Sequence, residues 1–236
     1  MDTVKKIAFV PIRKGSKGIV GKNTKILIDR PLVCWVLDTI VKSKAFDEIF
    51  VASDCDSAKR IINDRYGSSV RIFDRSTESA TDDCNVGRIV SEFLQINQYS
   101  PQDIFVLFQA TSPFTSTSEI YNLLSSLSHY GIDGVIACNR LKRFRWSEQG
   151  ECLDYTPQHK PMRQQYPGFL VECGAFYAAR IKNIVTHYND HYVFTLSGKI
   201  APIEVSNQTA VDIDEPIDWI IAEHYASKIV CHGLSD

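Results

Sequence analysis

No run of apolar residues in this sequence approaches the roughly 18 needed to cross a membrane as a helix. No two cysteines stand at CxxC spacing, and no Cys/His set has ligand spacing. That argues against structural zinc and against a disulfide framework. Charge of one sign is not in excess: the net charge is −2 over 236 residues, which leaves no general basic field to attract nucleic acid. Internal repeats and low-complexity linkers are absent. The apolar run in the N-terminal "MDTVKKIAFVP" is too short for a secretory signal. What is present is ordinary for a soluble globular protein: 44% hydrophobic and 23% charged residues. Such a chain buries a substantial core as one large domain or two small ones. Seven cysteines (Cys34, Cys55, Cys84, Cys138, Cys152, Cys173 and Cys231) are scattered, several inside apolar segments. They read as buried free thiols of a reducing cytosol.

The order of elements follows from periodicity. "KIAFVP", "EIFVAS", "SVRIF", "DIFVLFQA", "DGVIACNR" and "KIAPIEVS" are short apolar runs that read as strands. Between them stand helical patterns. "PLVCWVLDTIVKS" places Val33, Val36, Leu37, Ile40 and Val41 on one face, and Pro31 suits a first turn. "DCDSAKRIINDRYG", "DDCNVGRIVSEFLQI" and the cap-led "TSPFTSTSEIYNLLSSLSHYG" follow the same rule. "EPIDWIIAEHYASKIV" closes the chain, with Ile217, Ile220, Ile221, Tyr225 and Ile229 as its expected apolar residues. Strand–helix alternation predicts an α/β fold in three layers around a mostly parallel sheet. The rhythm fails from Arg140 to Gly174, a polar, aromatic and proline-bearing stretch with no helical period. An excursion that long is usually functional: an arm, a lid or a dimer element.

Two constellations carry chemistry. The first, "FVPIRKGSKGIVGKN", follows the first strand, where ligands bind in parallel α/β folds. Glycines let backbone N–H groups approach a phosphate, and Arg13, Lys14, Lys17 and Lys22 favour a polyanion. It is neither a Walker P-loop, because Ser16 and Asn23 fail both ends, nor GxGxxG, because Gly15, Gly18 and Gly21 are spaced by three. A solvated surface turn is the alternative. The second is "AVDIDEP". Asp212 and Asp214, two apart, project to one side of an extended segment. Such a pair suits Mg²⁺ held by carboxylates plus substrate phosphates. Helix capping before Pro216 would explain Asp214, but not Asp212.

"IAFVPIRKGSKGIVGKNTK" resembles the N-terminal signature of the cytidylyltransferases that make CMP-sialic acid. "RPLVCWVLDTIVKSKAFDEIFVASD", "FQATSPF", "RFRWSE", "RQQYPGFLVECGAFY" and "VDIDEPIDWIIAE" resemble successive blocks of that family in order, and some are nearest the animal type. The resemblance covers nearly the whole chain. It implies a single Rossmann-like nucleotidyltransferase domain over 1–236, with 140–174 as a dimerisation arm. It also implies CMP transfer from CTP to the anomeric hydroxyl of a nine-carbon acidic sugar, with release of pyrophosphate. The family uses Mg²⁺, with Mn²⁺ as a substitute, and forms homodimers or dimers of dimers in which the arm helps complete the partner's site. A cytoplasmic protein is expected, or a nuclear one for an animal source.

Carried over by position, Arg13 and Lys22 hold the triphosphate and offset charge at the α-phosphorus. Ser16 lies in the same turn, Asn23 matches a ribose contact and Arg75 an arginine near the cytidine. Gln109, Arg163 and Tyr177 match the sugar pocket, where an arginine fork suits a carboxylate. Asp212 and Asp214 match the metal pair. Arg13, Lys22 and Asp214 are thus the expected catalytic residues; no side-chain base is mandatory. The chain departs from the family at Ile12 and Lys14. It departs more tellingly at Cys173, where Asn is usual: a lost amide removes a donor and an acceptor and bears on which sugar is used. "HKPMRQQ" does not repeat the basic cluster of the animal enzymes. The rival readings are a cytidylyltransferase for another keto-sugar acid, such as an octulosonate, a DxD glycosyltransferase, and a catalytically dead binding module.

Overall fold

The computed structural model describes residues 3–15, 18–76, 79, 85–129 and 131–232. The first strand, β1 (Lys6–Pro11), carries four consecutive fully buried residues, Ile7 to Val10. A residue sequence apolar on both faces has to lie inside a sheet covered on both sides. Next come the two-residue strands β2 (Ile26–Leu27) and β3 (Arg30–Pro31), then α1 (Leu32–Ser43), β4 (Glu48–Ser53), α2 (Asp56–Tyr66) and β5 (Arg71–Asp74). They are followed by α3 (Val86–Asn97), β6 (Ile104–Phe108), α4 (Thr117–Ser128) and β7 (Gly134–Leu141). The chain ends with β8 (Phe169–Arg180), β9 (Ile184–Tyr188), β10 (His191–Leu196), β11 (Ile200–Val205) and α5 (Pro216–His232).

Seven strands form one sheet in the order β11-β7-β8-β6-β1-β4-β5. Every pair is parallel except those of β8, which runs antiparallel between β6 and β7. Alternation along the strands divides the core. Ala8, Val10, Val51, Val106 and Phe108 face α1, α2 and α4. Ile7, Phe9, Phe50, Phe105 and Leu107 face α3 and the β9–β10 hairpin. The expected three layers result. On the second face Phe93 of α3 is fully buried, with the rings of Phe9, Phe50 and Phe73 at centroid distances of 4.7, 4.9 and 5.2 Å. Phe93→Ala should therefore destabilise the fold by about 3–5 kcal/mol, read as a lower urea midpoint at unchanged m-value. An unchanged midpoint would show that this ring cluster is dispensable.

Two expectations need correction. The irregular stretch is shorter than 140–174, because Arg140 and Leu141 end β7 and Phe169 to Gly174 begin β8; Leu141 pairs with Phe169 at the stem. Within it the aromatics pack on one another. Phe144 stacks against Tyr155 at 4.8 Å and Tyr166 at 5.0 Å, and Tyr166 is buried. Trp146 remains 58% exposed. The second correction concerns α5. Its buried face is Trp219, Ala222 and Ala226, with Tyr225 and Ile229 packed beside them, whereas Ile217, Ile220 and Ile221 are exposed. The two alanines let the helix lie close against Leu27, Leu32 and Phe114, and that turns the larger isoleucines outward. Among the described residues no helix is long and apolar enough to cross a membrane. The six described cysteines carry free thiols, and Cys84 lies outside the described residues.

Candidate functional site

The C-terminal ends of the parallel strands meet at one edge of the sheet, together with the N-terminal half of the antiparallel β8. There the chain from β1 turns through the glycine loop into a short 3-10 helix, Lys22–Thr24. Two glycines are needed for different reasons. Gly15 has φ +88°, a left-handed conformation that disfavours side chains. Gly18 has no such angle, but a Cβ there would run into the backbone carbonyl of Asp214. The loop and the Asp212–Asp214 segment are thus in direct backbone contact, although they lie about 200 positions apart in sequence.

Lys22 binds the two together. Its side chain is largely buried, and its Nζ donates to the Ile213 carbonyl at 2.5 Å and to Asp214 Oδ1 at 2.9 Å. Behind it, the Ile213 amide donates to the Thr111 carbonyl at 2.9 Å, which ties the acidic segment to the end of β6. The N-terminus of α5 is served by Asp218, whose Oδ2 accepts from the amides of Asp214 and Glu215. Capping therefore does not occupy the Asp214 carboxylate, which faces Lys22 instead. The Asp212 carboxyl is pushed above its usual range. Desolvation by the surrounding protein is the largest cause, a hydrogen bond from Thr111 opposes it, and the charge of Asp214 adds to it. Solvent still reaches Asp212, so this desolvation is partial.

Asn23 donates to the Arg13 carbonyl at 3.4 Å. Arg75 straps two loops together: Nη1 donates to the Ile12 carbonyl at 3.3 Å and Nη2 to the Ser79 carbonyl. Its buried Nε has no partner among the described residues. Arg13, Lys22, Asn23, Arg75, Gln109 and Thr111 line one cavity of about 220 Å³. The structure thus brings together four of the five residues expected at the nucleotide; the fifth, Ser16, lies outside the described residues, as does Lys17.

Gln109 also lines a neighbouring cavity of about 330 Å³ with Glu172, Tyr177 and Phe194. A third, of about 460 Å³, is lined by Asn139, Glu172, Cys173, Tyr177 and Asp212. Gln109 and Tyr177 are therefore neighbours at one wall, and Asp212 faces the same space as Tyr177. Arg163 is not brought there. It sits on the excursion, its Nε donating to the Lys142 carbonyl at 3.1 Å, and lines two other cavities with Lys142 and Arg143; the larger, of about 640 Å³, shares Asn139 and Leu141 with the cavity of about 460 Å³. Sequence reasoning missed Asn139, Glu172 and Thr111. Asn139 follows the apolar run of β7, and Glu172 interrupts "FLVEC"; a polar residue set against an apolar run was the available signal.

Asp212 and Asp214 fit a divalent cation in charge and in donor type. The mutual charge that raises the Asp212 pKa is what a cation relieves, and Mg²⁺ takes one or two carboxylates plus phosphates. Among the described residues no three His, Cys, Asp or Glu side chains converge on a common point.

The chain is 32% identical over 235 residues to N-acylneuraminate cytidylyltransferase of Oncorhynchus mykiss, with 96% of this chain and 51% of that protein covered. It is 33% identical to N-acylneuraminate cytidylyltransferase B of Danio rerio, with 97% and 53% covered. The chain thus spans about half the length of these relatives. Among solved structures, CMP:2-keto-3-deoxy-manno-octonic acid synthetase complexed with CTP superimposes with a TM-score of 0.66 at 14% identity, covering 95% of this chain and 99% of the other. The fold is therefore shared well beyond recognisable sequence identity. A family model described as cytidylyltransferase matches residues 7–198, which take in the glycine loop, Gln109 and the bulged strand β8, and on that match this chain belongs to the cytidylyltransferase family.

Proposed function

We propose that the protein transfers CMP from CTP to the anomeric hydroxyl of a nine-carbon acidic sugar, an N-acylneuraminate or a close relative, giving CMP-sugar and pyrophosphate. The observation that carries this reading is the cavity in which Arg13, Lys22, Asn23 and Arg75 converge, joined through Gln109 to the wall formed by Tyr177. A triphosphate in the first cavity would face two cations on a glycine-rich turn. An acceptor sugar in the second would approach from the Gln109 side. The names of the trout and zebrafish relatives support the choice of sugar class.

In this mechanism Arg13 and Lys22 stabilise the charge that builds on the phosphoryl oxygens as the sugar oxygen attacks and pyrophosphate leaves. Ser16, in the same turn, offers its amide or hydroxyl to a phosphate. Asn23 orients the ribose, and Arg75 holds the walls of the base pocket through its two carbonyl contacts. Gln109 positions the sugar, and Tyr177 belongs to the wall that the sugar meets. Asp212 and Asp214 would hold a Mg²⁺, with Mn²⁺ as a substitute, which would supply charge neutralisation at the phosphates. The free thiols suit a cytoplasmic setting. The test is the product. Incubation with CTP and N-acetylneuraminate should yield a CMP–sugar phosphodiester by phosphorus NMR. Formation of a glycoside from CMP-sugar and an acceptor instead would identify a glycosyltransferase.

The same reading assigns the excursion to a homodimer. Arg163 does not line the cavities that Tyr177 lines, although its own adjoins one of them at Asn139 and Leu141, and we assign its sugar-pocket role to an arm that crosses to a second copy. The ends of the arm meet where Gly168 abuts Leu141, so residues 143–167 are replaceable by a short turn. The wild type is expected to sediment as a dimer at micromolar concentration. The deletion variant should bind CTP but fail to use sugar. A monomeric, fully active wild type would rule this out, and so would a deletion variant with normal sugar use.

A further inference from the structure

Residues five apart on a regular strand point to opposite faces. Glu172 and Tyr177 both lie on β8, yet the Tyr177 hydroxyl donates to Glu172 Oε1 at 2.5 Å. A bulge makes this contact possible. The pairing of β8 with β7 shifts register between Ile136 and Cys138, and within the extra segment Gly174 has φ +76°. Bulges re-aim side chains, and they concentrate beside active sites. This one is pinned from β6, where the Gln109 amide donates to the Ala175 carbonyl at 3.1 Å.

The Glu172–Tyr177 pair forms a wall common to the cavities of about 460 and 330 Å³. No Lys or Arg is among the described residues lining either. Two carboxylates, Glu172 and Asp212, line them as pure acceptors, whereas the Gln109 amide and the Thr195 hydroxyl at the smaller cavity can also donate. The Tyr177 pKa is raised, first by burial and then by Glu172, so its proton stays on oxygen and is committed to that carboxylate. Burial raises the Cys173 pKa as well, leaving a neutral, weakly polar thiol. The Asn139 Nδ2 already donates to Asn207 Oδ1 at 3.0 Å. A carboxylate accepts about four hydrogen bonds in all, so Glu172 keeps acceptor capacity after taking the tyrosine's. Such a surface attracts hydroxyl and N–H donors and repels a carboxylate.

We propose that Glu172 is a specificity-determining residue of the acceptor site, accepting hydrogen bonds from hydroxyl or N–H groups of the sugar, with Tyr177 as the positioning residue that fixes its carboxylate. The assignment rests on the cytidylyl-transfer reading above and deepens it. It places the polyol side of the sugar against β8 and directs the sugar's own carboxylate away from this wall.

Steady-state kinetics on the full chain, with CTP and N-acetylneuraminate varied separately, test it. Glu172→Gln keeps the shape but exchanges an acceptor for a donor. The sugar KM should rise by about tenfold or more, as expected for losing a hydrogen bond to a charged group, with the CTP KM within about twofold of wild type. Tyr177→Phe should raise the sugar KM less. The double variant should be no worse than Glu172→Gln alone, because nothing is then left to position. An active wild type whose sugar KM is unmoved by Glu172→Gln overturns the assignment alone, as does a parallel rise in both KM values or a fully additive double variant. A wild type that releases no pyrophosphate with any sugar acid overturns the cytidylyl-transfer reading, and this assignment with it.

Discussion

Alanine at Lys22 is expected to slow pyrophosphate release by about 10²–10³-fold, comparable to removing one preorganised transition-state donor. Lys22 is held in a largely buried position by Ile213 and Asp214, and it lines the cavity that also contains Arg13. A cation fixed in that way needs little reorganisation when charge develops on a phosphoryl group. The CTP KM should change less than the rate, because the stabilisation is greatest in the transition state. The pairing with Asp214 adds little to stability, since that carboxylate side chain is 70% exposed. The variant also removes the buried donor to the Ile213 carbonyl, so a melting curve establishes that it is folded before its rate is compared. A rate within a factor of about two of wild type would show that the loop is only structural.

Asp214→Asn is the second large effect expected, a loss of about 10²-fold in turnover. The substitution keeps the shape of the side chain and removes half of the carboxylate pair's charge. It also removes the negative charge opposite Lys22 while leaving an oxygen that can accept from it. Activity should require Mg²⁺ or Mn²⁺, and the variant should need more of either ion to reach half-maximal rate. Full wild-type activity in excess chelator would contradict the metal assignment. An asparagine variant of normal rate would contradict the role of Asp214.

The parts legible from sequence were those in which one physical signal dominated. β1, β4, β6 and β7 are buried apolar runs whose polar residues stand at or near their ends, so none interrupts the apolar centre. The capping box at Ser116 and Glu119 marks the start of α4, and both its bonds form. The two-residue spacing of Asp212 and Asp214 put their carboxylates near each other, and the structure adds what spacing could not: the separate roles of Asp218 at the helix and Lys22 at Asp214. The antiparallel β8 was harder to read. Its pattern is interrupted by the bulge around Gly174, so "FLVECG" reads as irregular until β7 is placed beside it. The β9–β10 hairpin was missed, although Asn189 and Asp190 form a two-residue turn with φ of 44° and 62°. Asn and Asp tolerate that left-handed conformation and mark such turns. On α5, apolar periodicity selected the isoleucines, but close packing selected the alanines. Hydrophobicity alone does not say which of two apolar faces has a surface to meet.

The most direct measurement is pyrophosphate release from each of the four ribonucleoside triphosphates, with and without a panel of nonulosonic and octulosonic acids. The expected result is release with CTP alone among the nucleotides, dependent on an acidic sugar and greatest with a nine-carbon one. No release above background with any pair, or release indifferent to the sugar, would contradict cytidylyl transfer as the activity of this site.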